Sequence, residues 1–167
     1  MRAAGGFTHV TSTRILKPTH DRSYFYLVYG TRHFKGLVEF RGVEKKVVEE
    51  QERVRLTAKQ ESRETRTGQP ELFAAGDTPG LPPAFEDERS RQMVSALARL
   101  RALLSQKRKV IYEDALANLL ELPLVWESDV KGMIMKMRDS DEVDVIGLKP
   151  RERTPKKGHV VVWKGQP

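Results

Sequence analysis

The chain of 167 residues contains no cysteine. Disulfides, thiolate metal sites and cysteine nucleophiles are thereby excluded, and the composition fits a reducing compartment. Long apolar runs are missing too: the longest, Tyr24 to Tyr29, falls far short of the ~20 residues a membrane-crossing helix needs. The opening residues MRAAGGFTHV lack an apolar core of signal-peptide length, so a cytoplasmic chain with no membrane partner is expected. Histidines are few and scattered, at positions 9, 20, 33 and 159, and none pairs with another at metal-ligand spacing. Ala4-Gly5-Gly6 has neither the GxGxxG pattern nor the lysine of a phosphate loop, and reads as a mobile terminus. No catalytic, cofactor-binding or metal-binding residue is assigned, and the chain is not expected to be an enzyme on its own.

What is present in excess is positive charge. Thirty basic residues against 23 acidic ones give a formal charge of +7, which favours a polyanionic partner. Nucleic acid is the first candidate and an anionic membrane surface the second.

The stretch TGQPELFAAGDTPGLPP (Thr67 to Pro83) is rich in Gly and Pro and has no sustained period. It divides the chain into a region over 1–66, a linker over 67–85 and a domain over 86–167. In the first region, Phe7 to Leu16 alternates, Lys17 to Arg22 reads as a turn, and Ser23 to Gly30 is a continuous apolar run. Two strands are expected, the second buried on both faces. From Phe34 the pattern turns helical, with Leu37, Phe40, Val43, Val47 and Val48 near one stripe, and the polar run that follows predicts fraying in the sixties. Two strands and one helix cannot cover both faces of YFYLVY. Either another chain or a missing part of a larger sheet supplies the cover, and a homodimer through residues 1–66 is one expectation. The polar stretch YGTRH (Tyr29 to His33) follows a buried strand, where open α/β sheets bind ligands.

After the linker, Glu86 to Ser105 spaces Met93, Leu97, Leu100 and Leu104 as a helix, and Val110-Ile111 is a short apolar pair. A second helix runs from Tyr112 to Glu121 and stops before Pro123. A third begins with Ser128 as N-cap and buries Val130, Met133, Ile134 and Met137. Val143 to Ile146 and Val160 to Trp163 read as strands around a basic loop. This order is the winged helix-turn-helix plan. The third helix turns Lys131, Met135 and Arg138 away from the core, with Lys136 on its flank, and the wing adds Lys149, Arg151, Arg153, Lys156 and Lys157, offset only by Glu152. Such a surface suits phosphates. A solvated loop or a protein-interaction module is the competing reading. The helix has no Asn, Gln or outward Arg near its start for a bidentate base contact, so backbone contact is expected over base readout, and it carries Glu127 and Asp129 there, which would repel phosphate. Met133, Met135 and Met137 read as core and gap-filling residues.

The segment Gly5 to Val43, QPELF at Gln69 to Phe73, YEDALANLLELPLVWESDVKGMI and IGLKPRERTPKKG together resemble the C-terminal part of the three-Cys-motif partner proteins. Those bacterial and phage proteins look like a methyltransferase-type Rossmann domain joined to a winged helix. The resemblance implies an α+β chain in which the first strands and long helix are the tail of a Rossmann-like domain. The glycine-rich half that would hold S-adenosylmethionine has no counterpart here, so no cofactor is implied. A separate three-cysteine partner protein is implied. The expected role is nucleic-acid binding, to the backbone of double-stranded DNA, by a non-catalytic module. The alternatives are a module docking the partner enzyme and a fragment of a methyltransferase-like enzyme completed by another polypeptide.

Overall fold

The computed structural model describes residues 5–18, 20, 22–69 and 83–165. Most of the expected linker, residues 70–82, lies outside the described residues. Among the described residues the architecture is mixed α+β, with two small sheets and four helices. No helix among the described residues is long and apolar enough to cross a membrane.

Strands β1 (His9–Leu16) and β2 (Ser23–Thr31) form an antiparallel hairpin, with His9 opposite Thr31 at one end and Leu16 opposite Ser23 at the other. Both were expected as strands, but β2 is not buried on both faces. Tyr24 through Val28 are exposed, because β1 pairs with one edge only and no other described strand joins the sheet.

Helix α1 (Phe34–Thr67) follows β2. Gly36 lets it come close to the strand, since a Cβ there would sit 2.7 Å from the Thr31 hydroxyl. The YGTRH stretch is absorbed in this turn, where the Thr31 hydroxyl donates to the His33 carbonyl and accepts from its N–H, both at 3.1 Å. The expected apolar stripe is corrected. The buried positions are Leu37, Arg41, Glu44, Val48 and Arg55, which keep the helical period, whereas Val43 and Val47 are exposed. Arg41 and Arg55 fit the stripe because the surface they meet offers carbonyls and the Thr11 hydroxyl, and Glu44 pairs with Arg41. The fraying expected in the sixties is also corrected. The helix is continuous to Thr67 and ends on Gly68 at φ 68°, whose N–H bonds the Glu64 carbonyl at 2.8 Å. Side-chain pairs within the polar run, Arg53 with Glu50 and Gln60 with Glu64, support it.

Helix α2 (Pro83–Lys107) opens on proline, whose missing N–H is harmless in a first turn, and ends before Arg108 at φ 63°. Then come β3 (Lys109–Ile111), α3 (Tyr112–Leu119), α4 (Glu127–Asp139), β4 (Val143–Ile146) and β5 (Val160–Trp163). The second sheet is antiparallel in the order β3-β5-β4. Helix α4 does not use Ser128 as its cap. Trp126 takes that position, and the Asp129 carboxylate reaches back to accept its N–H at 2.8 Å.

The core lies between α2, α3, α4 and the three-stranded sheet, on Leu100, Leu104, Leu119, Val130, Ile134, Val143 and Val161. Burying each such side chain stabilises the fold by about 1.5–3 kcal/mol. Leu37 of α1 belongs to this same core. A smaller cluster of Leu16, Val48, Phe85 and Leu124 closes the hairpin over α2, and Arg14 pairs with Glu88 at 2.7 Å beside it.

Candidate nucleic-acid interface

The loop between β4 and β5 turns at Gly147 (φ 94°) and Gly158 (φ 85°), conformations that favour glycine. Its one acidic residue is drawn inward. Glu152 accepts the Lys149 N–H at 3.1 Å and the Lys156 ammonium at 3.0 Å, and lies 3.6 Å from the His159 ring. The Lys149 N–H first, then Lys156, hold its carboxyl below the usual range. The loop base is fastened to α3: Glu113 accepts the Gly158 N–H at 3.0 Å, and Tyr112 N–H donates to the His159 carbonyl at 2.8 Å. Pro155 is buried. By contrast the side chains of Lys149, Arg151, Arg153 and Lys157 are exposed, and none pairs with a carboxylate among the described residues.

The eight cations singled out from the sequence do not form one cluster. Lys131, Lys156 and Lys157 line a cleft of about 490 Å³ between α1, α3, α4 and the loop. Lys131 is paired with Glu127 at 2.8 Å and Lys156 with Glu152, which weakens both as phosphate ligands. Lys136 lines a different groove with Met93, Leu97 and Met137. Arg138 is exposed near the end of α4. Met133 and Met137 are buried, as gap-filling core residues should be.

Two acidic residues read as repelling phosphate are occupied instead. Glu127 meets Lys131 and the Tyr112 hydroxyl, which donates at 3.2 Å. Burial, then Glu127, pushes the Tyr112 hydroxyl well above the usual tyrosine range, so it remains a neutral donor. Asp129 caps α4 and pairs with Arg89 at 2.7 Å. Arg89 also donates to the Leu124 carbonyl at 2.6 Å and lies 3.7 Å from the centre of the Trp126 ring.

Sequence reasoning missed Lys35. It lines the cleft with Phe34, Val38 and Glu39, and its position depends on α1 packing against the C-terminal core. That packing runs through Arg41, whose Nε donates to the Leu120 carbonyl at 2.8 Å and whose guanidinium also bonds the Thr11 hydroxyl. Thr11 in turn donates to the Glu121 carbonyl at 3.1 Å, and His9 and Arg99 both reach the Glu121 carboxylate at 3.3 Å. No local pattern around Lys35 announces this arrangement.

Among the described residues, no group of three or more His, Asp or Glu side chains could hold a metal ion. No protein-family model matches the chain, and neither a curated protein nor a solved structure matches it.

Proposed function

We propose that residues 83–165 are a winged helix-turn-helix that binds the backbone of double-stranded DNA in the cytoplasm, without catalysis by this chain alone. In this reading α2, α3 and α4 are the three helices, and residues 147–159 are the wing. Residues 5–67 are then the tail of a Rossmann-like domain, in keeping with the resemblance to the three-Cys-motif partner proteins. One observation carries the functional reading. The wing directs Lys149, Arg151, Arg153 and Lys157 to solvent unpaired and turns its only carboxylate inward. A loop that merely needed solubility would gain nothing from separating its charges in this way. Four exposed cations, with contributions from α4, reach about four to five phosphates, which corresponds to a salt slope of about −4 for duplex DNA. The first turns of α4 expose Ser128 and Gly132 and offer no bidentate reader of a base edge near the helix start, so binding is largely independent of sequence.

Fluorescence anisotropy with duplex DNA, single-stranded DNA and RNA at two salt concentrations tests this. Duplex binding should weaken steeply with salt, and Arg151→Ala/Arg153→Ala should weaken all sequences alike and flatten the slope by roughly one per lost contact. No duplex binding at low salt, or unchanged affinity in the double variant, would transfer the loop to protein docking against an acidic patch of a separate enzyme.

A further inference from the structure

The free edge of β2 is unlike the rest of the surface. Over nine residues, SYFYLVYGT, it carries no charge and no proline, the features by which edge strands ordinarily avoid pairing. Tyr24 is 67% exposed, Phe25 49%, Tyr26 63%, Leu27 48% and Val28 42%. Both faces of the strand are involved. Phe25 and Leu27 share the face on which Thr11 meets Arg41, since they stand opposite Ile15 and Thr13 in the register, whereas Tyr24, Tyr26 and Val28 lie on the other.

Helix α1 extends the patch. Phe40 stacks on Tyr29 with ring centres 4.8 Å apart and planes 7° from parallel, which places this flank of the helix on the β2 side of the hairpin. Val43, Val47 and Val54 continue the same flank and are all exposed. Val43 and Val47 thus follow Phe40 along the flank of α1 nearer β2.

We propose that a second copy of this chain occupies that edge, its β2 pairing antiparallel with β2 of the first to make a four-stranded sheet. The two-fold axis of such a pair is normal to the sheet, so both α1 helices lie on one face and their valine flanks meet across the axis. Three features support a like partner. The patch carries no charge that would select an oppositely charged protein. An antiparallel pairing centred near Leu27 sets apolar side chains against apolar side chains along the shared stretch. The exposed area is also large: Tyr24, Phe25 and Tyr26 alone leave about 350 Å² uncovered at about 200 Å² per aromatic side chain. Phe25, Leu27 and the α1 valines lie on the face that the two helices close, while Tyr24, Tyr26 and Val28 on the other face gain only cross-strand neighbours, so the pair buries part of this patch and makes an interface smaller than the standard ~800 Å² per partner.

Sedimentation velocity of the chain at tens of micromolar should give twice the monomer mass. Tyr26→Lys/Leu27→Lys should give a monomer with unchanged far-UV circular dichroism, because Tyr26 lies on the face away from Arg41 and Leu27 is itself 48% exposed, whereas Val94→Lys, at an exposed site on α2, should remain dimeric. As the chain has no cysteine, Leu27→Cys should cross-link to a disulfide dimer under mild oxidation and Val94→Cys should not. A monomeric wild type, a dimer that survives the double lysine variant, or a dimer in which Leu27→Cys fails to cross-link would each overturn the proposal. None of these readouts depends on DNA binding, so the two proposals fail separately.

Discussion

Arg41 and Glu44 meet at 2.5 Å on successive turns of α1, each with a side chain only 1% exposed. Burial lowers the Arg41 pKa, and Glu44 opposes that shift. The guanidinium also holds the Leu120 carbonyl and the Thr11 hydroxyl, so a single side chain joins α1 and β1 to the segment between α3 and α4. Arg41→Ala strands the Glu44 carboxylate in the interior and should cost about 3–5 kcal/mol. Arg41→Met/Glu44→Leu removes both charges and should recover most of that loss, as read from denaturant midpoints.

Arg89 has a comparable role at the start of α4, where it meets Trp126, Asp129 and the Leu124 carbonyl. Arg89→Ala is expected to destabilise the fold by about 1–3 kcal/mol and to change the fluorescence of Trp126, whose ring loses the stacked guanidinium. An unaltered emission spectrum would count against that contact.

Lys35 and Lys157 line one cleft although they lie far apart in the chain. If α1 contributes to the phosphate surface, Lys35→Ala should reduce the salt slope for duplex DNA by about 0.9, the same as Lys157→Ala, and the double variant by about twice that. An unchanged slope in Lys35→Ala would confine the surface to the wing and α4.

The Glu152 carboxyl is held below its usual range by the Lys149 N–H and by Lys156. A depressed acid contributes its stabilisation fully above the unfolded glutamate value, about 4.3, and loses it as pH falls through the depressed folded value. The Lys149 amide resonance should therefore titrate on the acid side of 4.3 and be flat through neutrality. Glu152→Gln should abolish that titration and lower the heteronuclear NOE across residues 149–157.

Much of this was legible in the chain, and the failures have a common cause. Val143 to Ile146 and Val160 to Trp163 were read with the bounds found in the structure, since short apolar runs beside a polar, glycine-containing loop leave little choice. The exposure of Lys149, Arg151, Arg153, Lys156 and Lys157 is legible because charged loop residues stay exposed under almost any packing. The α1 stripe differs because apolar periodicity assumes an apolar partner, and here α1 buries Arg41 against a hydroxyl and carbonyls, with Glu44 paired to it. The exposure of β2 and the position of Lys35 depend on what packs against the hairpin and α1, and no local pattern records that. The inward turn of Glu152 was likewise invisible in composition, where it counted only as one negative charge among five positive.

The strand order β3-β5-β4 has a consequence for how the chain is made. β3 and β4 are not neighbours in their sheet, and each pairs only with β5, which leaves the ribosome after both. Until Val160 to Trp163 emerge, two short strands with apolar inner faces wait without a partner, and α2, α3 and α4 have no sheet to close against. Completion of this half therefore waits on β5, and the nascent chain is exposed to aggregation until that strand arrives. A premature stop before Val160 should yield a product that is degraded or aggregates rather than a smaller folded domain.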